Sequence, residues 1–292
     1  MAGTISCLLP NLKIMEEKVF FDTSDGLKLC GILSTPKQKT DKCIILCHGI
    51  GNVDKEEDGV FTQLAKKLTD VGFAVFRFDF RGQGESEGKS IDMTITKEME
   101  DLESAIKFLQ EKEYREFGIL GASFGGGAVS LFTSKHSELV KALVLWNAGI
   151  DYSSKITPVT PWGKKYFGKP AFDRAEKFGF TEIGSKGFNV GKNLMDEIKI
   201  LEPWKGLVGI NNPILFIHGD KDSYIPYSDS VKYSKLFKNA KLITIEGGEH
   251  GFHDNSKHAE QADKATAEFF LKHMQYKSYV VSSLLHSSEL LQ

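Results

Sequence analysis

The stretch EFGILGASFGGGAVSLFTSKH, residues 116–136, joins an apolar run to a helix-like run through one serine, Ser123, set among glycines. EFGIL reads as a buried strand and GAVSLFTSKH as a helix. Gly121 and Gly125 mark a turn too tight for side chains, which would hold Ser123 up at its tip. By itself G-x-S-x-G fits an ordinary strand-to-helix turn whose serine caps the helix. It equally fits a nucleophile elbow, which needs an activating base and an acid further along the chain. The surrounding pattern decides between them.

Eight short apolar runs rich in β-branched and aromatic residues punctuate the chain: KVFFDT, LKLCGILS, KCIILC, FAVFRFDF, EFGIL, KALVLW, PILFIHG and AKLITIE. The first two are separated by Ser24, Asp25 and Gly26, a turn signal, so they form an antiparallel hairpin. From the third onward helical patterns intervene. Val60, Phe61, Leu64, Leu68 and Val71 recur at helical spacing, as do Met99, Leu102, Ile106 and Leu109. Strands alternating with helices predict an α/β fold, a mostly parallel sheet covered on both faces.

The rhythm breaks after the sixth run. Residues 151–204 hold Pro158, Pro161, Pro170 and Pro203 and many aromatics, with no obvious strand of the sheet. A structureless loop of that length is improbable in a compact domain, so the segment reads as an insertion folded over one end of the sheet. Its aromatics form its own small core, or some of them, such as Trp162, Tyr166 and Phe167, line an acyl pocket. The chain is thus one domain over residues 1–292, with the insertion at 151–204 and an extension at 276–292. In that extension Val280, Val281, Leu284 and Leu285 share one helical face. A homodimer contact is compatible with such a stripe, and the lipid case is the weakest, because Lys277 is the only basic residue there.

With 292 residues, 41% of them hydrophobic, the chain can bury a sizeable core. Its 37 basic and 39 acidic residues leave a formal charge of −2, which gives no electrostatic case for nucleic acid or an anionic membrane as partner. Cys7, Cys30, Cys43 and Cys47 match no zinc spacing and read as small buried hydrophobes in a reducing compartment. The amino terminus is a poor signal peptide and no run is long enough to span a bilayer, so a cytoplasmic location is expected. There is no H-E-x-x-H, P-loop or dinucleotide fingerprint; no metal and no cofactor is expected.

A serine hydroxyl needs an imidazole to take its proton, and the imidazole needs a carboxylate to fix its tautomer. Such groups collect at the carboxyl ends of strands in an open parallel sheet. PILFIHGDKDSYIP places Asp220 and Asp222 just past one run, and AKLITIEGGEHGFHD places His250 just past the next. Serine, aspartate and histidine therefore follow in the order a nucleophile elbow requires. Donors for an oxyanion come from CIILCHGIGN, through the amide of Ile50, and from the amide of Phe124 at the start of the following helix. His48 precedes that first turn and reads as a structural hydrogen-bonding residue of the loop.

These residues carry a resemblance. HGIG, RFDFRGQGESEG, GASFGG, HGDKDSYIP and GGEHGF resemble the α/β-hydrolase superfamily, specifically its serine esterases and S33-like peptidases, over about Lys18 to Met274. Within it the HGxxN turn, the RFDFxGxGxS loop and the insertion most resemble the feruloyl (cinnamoyl) esterase-like branch. The resemblance implies an eight-stranded α/β-hydrolase sheet with an inserted cap after the sixth strand. It also chooses Asp222 as the acid, leaving Asp220 to shape the turn, and it makes Asp79 and Arg81 an ion pair bracing their loop. The implied activity is hydrolysis of a small-molecule carboxylic ester through an acyl-enzyme. Amide or thioester cleavage by the same triad, and a binding protein on a hydrolase scaffold, are the competing readings.

Overall fold

The computed structural model describes residues 15–51, 53–152, 159–184 and 187–274. The amino-terminal stretch with Cys7, Asn52 of the HGxxN turn, part of the insertion and the extension lie outside the described residues. In chain order the strands and helices are β1 Met15–Asp22, β2 Lys28–Thr35, β3 Lys42–Cys47, α1 Val60–Asp70, β4 Ala74–Phe78, α2 Ile95–Glu111, β5 Glu116–Ala122, α3 Gly125–Lys135 and β6 Val140–Trp146. Then come α4 Pro161–Tyr166, α5 Lys169–Phe178, β7 Phe180–Ile183, β8 Phe188–Gly191, α6 Lys192–Glu197 and α7 Pro203–Gly206. β9 Ile214–Gly219, α8 Tyr227–Leu236, β10 Ala240–Ile245 and α9 Ser256–His273 complete the order.

All eight apolar runs enter one sheet, ordered β1-β2-β4-β3-β5-β6-β9-β10. β1 and β2 form the antiparallel hairpin, β2 meets β4 antiparallel, and the remaining neighbours are parallel. The unbroken apolar runs follow from burial on both faces. Cys43, Ile45 and Cys47 point to one face with Leu102 of α2 and Phe132 of α3, whereas Ile44 and Leu46 point to the other with Leu64 of α1 and Phe270 of α9. Strand alternation and helical periodicity meet there: Val60, Phe61, Leu64, Ala65 and Leu68 make the buried stripe of α1. Each valine, leucine or phenylalanine of that stripe contributes about 1.5–3 kcal/mol when fully buried. Cys30, Cys43 and Cys47 are buried free thiols.

Between β6 and β9 the chain leaves the sheet. β7 and β8 pair into a separate two-stranded ribbon. Tyr152, Phe167, Phe188, Val190, Leu194 and Met195 pack with Met93, Ile95 and Phe124, so this segment shares a core with the loops of the main sheet. It is tied down by polar contacts too. Glu197 of α6 accepts from the amides of Ile95 (2.6 Å) and Thr96 (3.1 Å), the unsatisfied donors at the start of α2.

One expected pairing is different. Asp79 and Arg81 do not pair with each other, because each finds a partner on another element. Asp79 accepts from the Lys55 ammonium (2.8 Å) and the Lys55 amide (2.7 Å), and Arg81 grips Asp101 of α2 and Asp25 of the hairpin turn. The chain has left β4 by this point, so the two side chains, two residues apart, depart toward different neighbours. Their effect is still to brace the loops that follow β3 and β4.

Candidate active site

β5 ends at Ala122 and α3 begins at Gly125, which leaves Ser123 in a turn with φ of 51°, the left-handed region. The Ser123 amide donates to the Trp146 carbonyl (2.9 Å), and its own carbonyl accepts from Gly126 (3.2 Å) and Gly149 (2.9 Å). The neighbouring glycines are required by close approach. A Cβ on Gly125 would lie 2.3 Å from the His48 carbonyl oxygen, and one on Gly121 would lie 2.4 Å from Val129.

His250 comes from the loop after β10 and Asp222 from the loop after β9. His250 Nε2 lies 2.8 Å from Ser123 Oγ, and His250 Nδ1 lies 2.8 Å from Asp222 Oδ2. A carboxylate only accepts, so Nδ1 carries the hydrogen and Nε2 presents a lone pair to the serine. Asp222 itself is a four-donor hub. Oδ2 also takes the His218 Nε2–H (3.0 Å), and Oδ1 takes the amides of Tyr224 (2.7 Å) and Ile225 (2.9 Å). Burial alone would raise this carboxyl. The charge of His250 and the hydrogen bonds from His218 and His250 outweigh it and hold the group well below the usual carboxylate range. Asp220, in contrast, is exposed and accepts the Gly247 amide at 2.7 Å, which is a turn-shaping contact.

Ile50 and Phe124 both line the cleft beside Ser123. Among the described residues neither amide donates to an acceptor, which leaves both available to an oxyanion. His48 fixes the first of them. Its Nε2 accepts the Phe80 amide (3.0 Å), so its Nδ1–H donates to the Gly49 carbonyl (2.8 Å). That carbonyl belongs to the peptide unit whose N–H is Ile50, and in a trans peptide the two point in opposite directions. Burial pushes the His48 imidazole down, which favours this neutral form.

The cleft encloses about 520 Å³ and is lined by Ile50, Val53, Trp162, Tyr166, Ile183, Tyr224 and Ile225 among others. Trp162 stacks on Tyr224 (5.2 Å, 11°), and Tyr224 stacks on the His250 ring (4.6 Å, 13°). Trp162 and Tyr166 thus reach the cleft. Phe167 does not: it is fully buried and packs behind, against Phe124 and Trp162, because an aromatic next to the turn after α4 is needed by the shared core. The carboxyl groups that line the cleft among the described residues are those of Glu57, Asp58, Glu249 and Asp254, and no lysine or arginine lines it. Three contributors were not singled out from sequence: His218, Tyr224 and Glu57. His218 and Tyr224 flank the aspartates in HGDKDSY, so proximity to that motif was the available signal. Glu57 had none.

Residues 38–176 match the family model described as serine aminopeptidase, S33, and residues 201–275 match the one described as TAP-like protein. Over 262 residues the chain is 24% identical to the uncharacterized protein YfhR of Escherichia coli, covering 87% of this chain and 80% of that one. It is 21% identical over 252 residues to the human serine hydrolase BPHL, covering 78% and 79%. Among solved structures, Est1E of Butyrivibrio proteoclasticus with bound ferulic acid superposes with a TM-score of 0.74 at 24% identity, covering 88% of this chain and all (100%) of that one. The Pyrococcus furiosus esterase Pf2001 superposes at 0.64 with 19% identity, covering 89% and 93%. With the sheet order, the strand-to-helix turn at Ser123 and two family models spanning most of the chain, the conclusion is plain: the chain belongs to the α/β-hydrolase superfamily.

Proposed function

We propose that the chain is a serine hydrolase that cleaves carboxylic esters through an acyl-enzyme at Ser123. The observation that carries this reading is the relay from Ser123 Oγ through His250 to Asp222, 2.8 Å at each step. In the reaction Ser123 Oγ attacks the ester carbonyl while its proton passes to His250 Nε2. The oxyanion is met by the amides of Ile50 and Phe124, which are fixed before the substrate arrives. Collapse expels the alcohol, which takes the proton back from His250. Water then repeats the sequence and releases the acid. Asp222 keeps the imidazole in the working tautomer and stabilises its charge.

The substrate reading rests on the cleft. Its volume suits a small molecule, and its aromatic and aliphatic walls suit an apolar acyl group. Four acids and no cation among the described lining residues favour a neutral ester over one bearing a carboxylate or phosphate. The inserted segment, residues 151–204, supplies Trp162 and Tyr166 and is assigned the role of reading the substrate. An aromatic acyl group of the hydroxycinnamate kind is a candidate, as ferulic acid is bound by Est1E.

A second reading, amide cleavage, is favoured by the serine aminopeptidase description of the model matching residues 38–176. One panel separates the two: nitrophenyl esters of increasing chain length, aryl esters, carboxylate-bearing esters and aminoacyl amides, run on the wild type and on Ser123→Ala. Turnover of neutral esters that vanishes in the variant supports the proposal. Turnover confined to aminoacyl amides moves the chain to the peptidases, and activity retained by Ser123→Ala removes the nucleophile.

A further inference from the structure

Glu57 stands in the cleft without a place in the relay. It follows β3 by ten residues, is only 8% exposed, and lines the same cavity as Ser123 and His250. Its Oε2 accepts the Gly49 amide at 3.0 Å. Gly49 is the residue before Ile50, and it sits directly against the nucleophile: a Cβ built on it would lie 3.0 Å from Ser123 Cβ and 3.4 Å from Ser123 Oγ. Displacement of Gly49 is therefore felt at Ser123 on one side and at the Ile50 amide on the other.

The two peptide units flanking Gly49 are gripped separately. His48 Nδ1–H holds the carbonyl of the unit that ends in the Ile50 N–H, and Glu57 holds the N–H of the unit before it. The backbone around Glu57 is bent to allow this. Glu57 has φ of 45° and Asp58 φ of 53°, two consecutive non-glycine residues in the left-handed region. Such conformations persist where the surroundings enforce them, and they gather at sites where placement matters. Burial raises the Glu57 carboxyl to about 7, and the Gly49 hydrogen bond and the charge of His250 act against that rise.

We propose that Glu57 is a positioning residue for acyl transfer: through the Gly49 amide it sets the loop that aims the Ile50 N–H at the oxyanion. The inference deepens the reading of Ser123 as an ester-cleaving nucleophile and rests on it. The acceptor, rather than the charge, performs this function, so Glu57→Gln keeps it and Glu57→Met, similar in reach, loses it.

The test uses the full chain, a 4-nitrophenyl ester and a fluorophosphonate probe, with Ser123→Ala as control. Loss of one fixed oxyanion donor lowers kcat about 10²–10³-fold, so a donor left in place but misaimed should lower it at least about tenfold. Glu57→Met and Glu57→Ala are expected to show that fall in kcat with KM within about twofold, and a parallel slowing of fluorophosphonate labelling. Glu57→Gln should recover both rates to within about threefold of wild type. Melting curves on all variants identify one that is unfolded at the assay temperature, and Glu57→Met fills the space that alanine would empty. A kcat unchanged in Glu57→Met, a defect confined to KM, or Glu57→Gln as slow as Glu57→Met overturns the inference. If Ser123→Ala retains turnover, the nucleophile reading fails instead. An inactive Ser123→Ala beside a fully active Glu57→Met refutes only the role of Glu57.

Discussion

Replacing Asp222 by asparagine should be far more damaging than replacing Asp220, although the two lie two residues apart in the same loop. Asp222 accepts four hydrogens, two on each oxygen: His250 and His218 on Oδ2, Tyr224 and Ile225 on Oδ1. An asparagine has one oxygen and one NH2. If its oxygen stays with the Tyr224 and Ile225 amides, the NH2 faces two ring N–H groups. His250 must then turn Nδ1 into an acceptor, which puts the hydrogen on Nε2, where it can no longer take the proton of Ser123. If the amide flips, two backbone amides lose their acceptor, at about 1–3 kcal/mol each. The first arrangement is favoured, and it is the inactive one. In a Ser-His-Asp site this substitution lowers the rate about 10⁴-fold, equal to about 5.5 kcal/mol of transition-state stabilisation. Asp220→Asn keeps the oxygen that accepts from Gly247, so its kcat/KM should stay within about threefold of wild type. The measurement is kcat/KM on one nitrophenyl ester for both variants, with melting curves alongside. A loss below tenfold for Asp222→Asn, or a greater loss for Asp220→Asn, refutes the assignment of the acid.

Ser123→Ala should remove turnover and fluorophosphonate labelling while leaving the melting temperature close to wild type, since an alanine fits wherever this serine does; more than a few per cent of residual ester turnover contradicts it. Trp162→Ala removes the outer ring of the stack on Tyr224 and opens one wall of the cleft, so it should change the ratio of kcat/KM between short aliphatic and aryl esters. Equal losses on every substrate would point to a purely structural role for that ring. Glu57→Gln should alter the pH dependence of stability. The native carboxyl is raised from 4.5 to about 7, so its contribution favours the fold below the lower value and is lost as pH rises through the upper one. Relative to wild type the glutamine variant should gain roughly 2–3 kcal/mol between pH 5 and 8, read as a growing difference in denaturation midpoints. Parallel stability curves over that range would show that the carboxyl does not titrate as its burial implies.

The sheet was legible because its signals are local. CIIL and ALVLW are apolar on both faces of a strand, and the stripe in α1 repeats at helical spacing, so each declares its environment within a few residues. The convergence of Ser123, Asp222 and His250 was legible for a related reason: each directly follows a readable strand, and the ends of neighbouring parallel strands meet in space. What escaped depends on contacts the chain makes at long range. Lys55 reaches Asp79 and Asp25 reaches Arg81 across different loops, which no pattern of spacing announces. Phe167 and Trp162 are both aromatics of one short segment, yet one is core and one faces the cleft, a difference set by how that segment packs on Phe124. Glu57 looks like any acid of the charged run DKEED until its oxygen is seen on the Gly49 amide.

The backbone shows why these loops are held by so large a core. Six described residues other than glycine have positive φ: Glu57, Asp58, Glu113, Ser123, Asn147 and Phe252. All but Glu113 lie in the loops that follow β3, β5, β6 and β10, at one rim of the sheet. Each such conformation costs on the order of 1 kcal/mol or more, and the net stability of a domain is only about 5–15 kcal/mol. The fold therefore carries its strain where Ser123, His250 and the Gly49–Ile50 turn converge. Two of the strained residues, Asn147 and Phe252, are also anchored there. The Asn147 amide donates to Ile217 of β9, and its side chain reaches the Glu249 carbonyl beside His250. Phe252 is buried edge-on against Trp146, whose indole N–H donates to Thr266 of α9. The loop carrying His250 is thus bonded to the strand behind Ser123 and packed onto the helix that covers it. Three segments far apart in the chain are held in one arrangement, so the proposed acyl transfer would need little reorganisation.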